Sequence, residues 1–210
     1  MRLREIVKKI LLKKYVRNLL GSTYDTLRDS FYQMNYAEYR TKFAIHPNFQ
    51  FRGEGVIIAG DGGNIALAEN SYLSRNCILE ALDGCKIIVG KNCAIGPNVK
   101  MYTVARATDQ DLNYDPFGVH KIAFSKGDII IGDGCWMGAD VCIKGGVRIG
   151  TNSIVGMNSV VTHDIPPHCL AVGNPARVVK FKSYLSKDEQ SQLISQYWTS
   201  LSDALRSAYS

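Results

Sequence analysis

The sequence predicts a mainly β protein, a parallel β-helix carrying an α-helix at each end. Three observations carry that expectation: an apolar period of six, glycines placed directly after many of the large apolar residues, and helical spacing confined to the two ends. In IIIGDGCWMGADVCIKGGVRIGTNSIVGMNSVV, residues 129–161, Ile131, Met137, Ile143, Ile149, Val155 and Val161 recur at steps of six. Two positions before each stand Ile129, Cys135, Val141, Val147, Ser153 and Ser159, so every hexad supplies one large and one smaller inward residue. The phase holds earlier at Val89, Ile95 and Met101, and a second set runs Leu67, Leu73 and Leu79.

An α-helix would repeat at three and four, and a half-buried strand at two. A step of six with a turn in every hexad describes short parallel strands forming the flat faces of a prism. Stacked coils set residues three hexads apart, such as Ile131 and Ile149, above one another, and each burial is worth roughly 1.5–3 kcal/mol. Gly132, Gly138, Gly150 and Gly156 follow directly after a large residue, where a sharp turn would favour a residue without a Cβ.

Three regions follow in order. Residues 1–50 form an N-terminal helical and aromatic segment. Leu3, Ile6, Val7, Ile10, Leu11, Tyr15, Val16, Leu19 and Leu20 recur at steps of three and four with basic residues between them, predicting an amphipathic helix that ends near Gly21. Such a basic helix suits either docking on its own protein or peripheral contact with an anionic membrane. Residues 51–182 are the β-helix domain, interrupted at 102–128 by the polar excursion YTVARATDQDLNYDPFGVHKIAFSKGD. Long excursions from a rigid repeat are disproportionately functional. Residues 183–210 form a C-terminal helix, opened by the capping box Ser186 and Glu189 and continued by Leu193, Tyr197, Leu201 and Leu205.

Composition narrows the function classes. The chain of 210 residues carries a formal charge of +6, concentrated in its first seventeen residues, and basic residues do not interleave with aromatics along the repeat, which argues against nucleic acid. The six cysteines form no C-x-x-C pair and sit mostly in apolar runs, so reduced thiols and a cytoplasmic location are expected. No secretion signal or bilayer-spanning stretch is evident.

The hexads, followed by VVTHDIPPHCLAVGNPARVVK at 160–180, resemble the hexapeptide-repeat acyltransferases, in the branch of galactoside, maltose, capsule and O-antigen acetyltransferases. The resemblance runs over about residues 50–182, and IGDGCWMGA and DIPPHCLAVGNPARVVK are its most specific pieces. It implies a left-handed β-helix, a homotrimer, and acetyl transfer from acetyl-CoA to a hydroxyl or amine of a sugar or glycan precursor, with no metal.

Acetyl-CoA is an activated thioester, so such an enzyme needs to juxtapose acceptor and thioester and to remove one proton. A neutral histidine suits that role, and the chain has four: His46, His120, His163 and His168. The family carries its catalytic histidine in a loop at the place of the excursion, often at positions matching Val104 to Asp109. None stands there, so His120, later in the same loop, is the expected base, with Asp109, Asp111 and Asp115 as candidates to orient it. By the same resemblance Gly138, Ala139, Gly156 and Met157 border the pantetheine slot, and a backbone N–H near Gly138 or Ala139 is placed for the oxyanion. Trp136 packs beside the slot, Arg177 and Lys180 meet the nucleotide phosphates, and Asn76 holds the acceptor. Two other readings stand beside this one. The missing histidine fits a catalytically inactive trimeric scaffold, and the five-residue spacing of HDIPPH matches two zinc ligands of the β-helical carbonic anhydrases.

Overall fold

The computed structural model describes residues 3–60, 64–107 and 123–196, with helix side chains from residue 12 onward. The chain divides into two units, Met1–Glu38 and Tyr39–Ser210.

The first unit is one helix, Leu3–Lys42, 40 residues long, whose last turn belongs to the second unit. The end expected near Gly21 does not occur. Gly21 keeps a negative φ rather than the left-handed conformation of a helix stop. Beyond it the hydroxyls of Thr23, Thr26 and Ser30 donate to Leu19, Ser22 and Thr26 carbonyls at 3.1, 2.9 and 2.8 Å, which keeps those polar groups inside the helical pattern. The aromatic stretch up to Lys42 is therefore helical, and it stops at Arg40 and Lys42, cations suited to the negative end of the helix dipole.

The second unit is the coil that the six-residue period predicts. Its first face stacks Ala44–Ile45, Ile65–Leu67, Ile87–Val89, Ile129–Ile131 and Arg148–Ile149 in parallel. The second face stacks Gln50–Arg52, Tyr72–Ser74, Ala94–Ile95, Trp136–Met137, Ile154–Val155 and Cys169–Val172, and is closed by the antiparallel Arg177–Phe181. The third stacks Ile57–Gly60, Ile78–Ala81, Lys100–Tyr102, Cys142–Lys144 and Val160–Val161. Register survives the excursion: Val89, Ile95 and Met101 pair with Ile131, Met137 and Ile143. Every large and smaller inward residue of the 129–161 stretch is buried.

The glycines after the large residues serve a different purpose from the one expected. Gly132, Gly138, Gly150 and Gly156 do not adopt positive φ. The turn is instead made two residues later, by Gly134, Asp140, Asn152 and Asn158 at φ between 57° and 69°. What Gly132, Gly138 and Gly150 provide is clearance, because a Cβ there would lie 2.7, 2.5 and 2.3 Å from backbone nitrogen of the next coil.

The smaller inward position also has a polar task. Ser71 Oγ donates to Gly90 O at 2.7 Å, and Cys77, Cys93 and Cys135 thiols donate to Gly96, Gly132 and Gly150 carbonyls at 3.2, 3.2 and 3.1 Å. A hydroxyl or thiol thus satisfies a carbonyl at each of these corners that the sheet ladders leave over. All six cysteines are free, and five are buried.

At the C-terminal end the chain is helical from 187 to 196. Ser186 caps it as expected: Glu189 N–H donates to Ser186 Oγ at 3.2 Å, and Ser186 N–H donates to Glu189 Oε2 at 2.8 Å.

Candidate active site

The corner between the second and third faces is lined by small residues in successive coils. Gly96, Gly138 and Gly156 occupy equivalent places on it, followed by Pro97, Ala139 and Met157. Next along the same corner come Asn76, Asn98, Asp140 and Asn158, all at φ between 56° and 60°. The coils are knit together there by Asn98 N–H to Arg75 O, Asp140 N–H to Pro97 O and Asn158 N–H to Ala139 O, at 3.0, 2.9 and 2.9 Å. Five expected site residues, Asn76, Gly138, Ala139, Gly156 and Met157, therefore share one edge. Met157 is 71% exposed there.

The two candidate oxyanion donors separate cleanly. The Gly138 N–H is committed to Val155 O at 2.8 Å, whereas among the described residues no acceptor is found for the Ala139 N–H. Gly156 N–H is likewise committed, to Ala171 O at 2.9 Å.

Trp136 stands on the second face beside this edge and points outward, 53% exposed, so it is not a core residue. It lines a cleft of about 460 Å³ with Ile154, Leu170, Lys180, Phe181 and Tyr184. Lys180 pairs with Leu170, the residue in line with Ile154 and Trp136. Arg177 pairs with Val172 at the other end of the same strand, where the small-residue edge finishes.

Sequence reasoning missed a polar network at this cleft. Lys182 Nζ donates to Asn152 Oδ1 at 2.5 Å, Asn152 Nδ2 to the Tyr184 hydroxyl at 2.6 Å, and that hydroxyl bonds His168 Nδ1 at 2.8 Å. Asn152 and His168 are corner residues with φ of 59°, a conformation enriched in asparagine. No spacing rule links them to Lys182 and Tyr184 beyond the last coil.

The excursion leaves from a different corner, between the third and first faces. Its stem is an antiparallel ribbon of Val104–Arg106 and Phe124–Lys126, and Ala107 N–H donates to Ala123 O at 2.9 Å. His120, Asp109, Asp111 and Asp115 lie outside the described residues.

The other histidines do not converge. His163 follows the third face, its Nδ1 2.9 Å from the Thr162 hydroxyl, and partial burial, then Arg177 and Lys144, hold its pKa below the ordinary imidazole value. His168 stands across the first face, beyond Ile165. His46 Nε2 lies 3.9 Å from Glu69, whose carboxylate is bound by Lys91 at 2.8 Å. Among the described residues no three His, Cys, Asp or Glu side chains gather into a metal-binding group, and HDIPPH places its two rings on separate corners. No described helix is long and apolar enough to cross a membrane.

A family model described as hexapeptide repeat of succinyl-transferase matches residues 128–163. The galactoside O-acetyltransferase of Escherichia coli is 35% identical over 119 residues, 57% of this chain and 55% of that protein. This chain thus spans little more than half the length of the curated relatives it matches. A maltose O-acetyltransferase of Clostridium difficile is similar in structure with a TM-score of 0.62 and 33% identity, over 83% of this chain and 89% of that one. A hexapeptide-repeat acetyltransferase of Vibrio cholerae, solved with acetyl-CoA, gives a TM-score of 0.55 at 28% identity over 71% of this chain and 76% of that one.

Proposed function

This chain belongs to the hexapeptide-repeat acetyltransferase family, and from that premise we propose that it moves the acetyl group of acetyl-CoA to a hydroxyl or amino group of a sugar or surface-polysaccharide precursor. The observation that carries this reading is the small-residue edge, with the N–H of Ala139, which finds no acceptor among the described residues, on it and the cationic cleft of Trp136, Lys180 and Lys182 beside it. Glycine at 96, 138 and 156 leaves one position without a side chain in each of these coils, so an extended pantetheine arm has access to backbone donors and acceptors there. The Vibrio cholerae relative was crystallised with acetyl-CoA, which supports the same ligand here.

In this reading the β-helix is left-handed and the active unit a homotrimer. The excursion springs from one corner and the small-residue edge occupies another, with the third face between them. A loop histidine reaches such an edge most directly from a neighbouring subunit, which supports three copies rather than one. His120 takes the proton from the acceptor as its oxygen or nitrogen bonds to the acetyl carbon. The Ala139 N–H stabilises the oxyanion, the carbon–sulfur bond then breaks, and the thiolate of CoA takes a proton. Arg177 and Lys180 hold the phosphates, Met157 borders the arm, and Asn76 orients the acceptor.

The test is a panel of sugars and lipid-linked glycans incubated with acetyl-CoA and read as an acetyl mass gain, alongside calorimetric titration with CoA. Binding of CoA with acetylation of at least one acceptor is expected. Absence of CoA binding would replace this reading with that of an inactive scaffold.

A further inference from the structure

The N-terminal helix carries a second pattern, independent of the proposed transfer reaction. Leu20, Tyr24, Leu27, Phe31 and Met34 follow one another at steps of four, three, four and three, so Leu20, Leu27 and Met34 recur every seven residues, as do Tyr24 and Phe31 between them. The same register extends back in sequence through Ile6, Ile10 and Leu3, with Lys13 and Arg17 as its two polar interruptions. Steps of four and three held from Leu20 to Met34 are the pattern of a helix seam that packs along an equivalent helix.

The seam is open in the single chain. Leu20, Tyr24, Leu27, Phe31 and Met34 are 63%, 65%, 71%, 54% and 65% exposed. All five are more than half exposed and form a continuous apolar stripe, the kind of surface that an interface of roughly 800 Å² per partner covers. Surface of that size and continuity on a lone helix marks an interaction site.

Charge selects the occupant. The positions flanking this stretch of the seam are Gly21, Thr23, Arg28, Ser30, Asn35 and Ala37, and only Arg28 among them is charged. It is already paired with Asp25 and Asp29 at 3.0 and 3.1 Å. Two copies of such a face meet without like-charge repulsion, and the small flanking residues let the backbones approach. An anionic bilayer is the poorer partner, because residues 18–38 contain Asp25, Asp29 and Glu38 against one arginine.

We propose that the helix Leu3–Lys42 is a self-association element, pairing through the Leu20–Tyr24–Leu27–Phe31–Met34 seam with the same helix of another copy of this chain. The test is disulfide cross-linking of the full-length protein under mild oxidation in lipid-free buffer, comparing Leu27→Cys with Asp29→Cys. Asp29 lies on the opposite side of the helix and is equally open, so it controls for mere proximity of chains. Both sites are exposed, and circular dichroism verifies that each variant is folded.

Intermolecular cross-linking at position 27 is expected to run at least about tenfold faster than at position 29, and to fall to the control rate when Phe31→Glu is added. Equal rates at the two positions would overturn the proposal. So would slow cross-linking at both sites combined with sedimentation on phosphatidylserine-containing vesicles that Phe31→Glu abolishes, an outcome that would make the seam a membrane contact. None of these readouts depends on acetyl transfer, so failure here leaves the proposed reaction untouched.

Discussion

A methyl group on Gly138 would sit 2.5 Å from the backbone nitrogen of Met157, one coil further on. The contact is backbone against backbone, so neither side can yield without moving a rung. Gly138→Ala should therefore lower stability by about 1–3 kcal/mol, seen as a melting temperature several degrees lower. It should also raise the KM for acetyl-CoA, since the same edge is the proposed slot. Gly21→Ala is the matched control: it lies in a helix interior with nothing within 4 Å of the new methyl, and it should stabilise by about 0.5–1 kcal/mol. Thermal denaturation of the two variants checks both signs.

For the proposed base, His120→Ala should reduce kcat about 10²- to 10⁴-fold while CoA binding by calorimetry is retained. His163→Ala, by contrast, should leave kcat within about twofold, because that ring follows the third face and is held by Thr162. A kcat loss at His163 comparable to that at His120 would move the proton-transfer role to the C-terminal end of the coil.

Most of the fold was legible because a period of six leaves little choice of geometry, and the inward pattern of Ile131, Met137 and Ile143 reappears as buried, in-register rungs. The glycines were visible but misread: clearance from the next coil cannot be told from turn-making until Met157 or Pro167 is seen to lie against them. Gly21 misled for a related reason, since a glycine stops a helix only when its φ turns positive, and spacing does not report φ. The resemblance assigned Gly138, Ala139, Gly156 and Met157 to the slot and Asn76 to the acceptor separately, and only the stacked coils bring the five onto one edge. The Lys182–Asn152–Tyr184–His168 network did not, because its members are joined by a chain reversal after the last coil rather than by the repeat.

Arg177 and Lys180 lie at opposite ends of the same strand, facing Val172 and Leu170. If both meet phosphates, Arg177→Ala and Lys180→Ala should each raise the KM for acetyl-CoA about tenfold with kcat within about twofold, as loss of a charge-assisted contact made equally in ground and transition states. The wild-type KM should rise with ionic strength, and the rise should be shallower in the double variant. Steady-state kinetics across a salt series reads all three.

Burial raises three of the thiols. It pushes Cys77 and Cys169 up to about 11, and raises Cys142 in the same direction despite Lys100 nearby. The thiolate is the species that attacks a disulfide reagent and displaces its leaving thiolate, so at pH 8 the native protein should react slowly. The first cysteine to be labelled should be Cys142, the one that is only partly buried. The remaining five should react together once denaturant unfolds the coil. Mass spectrometry of labelled peptides would contradict this if Cys77 or Cys135 were modified in the native state.

Glu189 makes the start of the 187–196 helix sensitive to pH. Hydrogen bonds from Ser186, first its hydroxyl and then its backbone N–H, hold the Glu189 carboxyl below the ordinary value of 4.5. A carboxyl depressed by folding stabilises the folded form above its unfolded pKa, and that contribution disappears as pH falls through the folded value. The start of the 187–196 helix should accordingly fray on acidification below about pH 4.5, while the coil, whose core is apolar, keeps its structure. Glu189→Gln should flatten that pH dependence, since an amide accepts from Ser186 but does not titrate. Ser186→Ala should speed amide exchange at the helix start about fivefold at neutral pH, where the carboxylate alone does not replace the lost acceptor for the Glu189 N–H. Hydrogen exchange followed from pH 7 to pH 3 separates the two variants, and an unchanged profile in Glu189→Gln would show that another group governs the acid response.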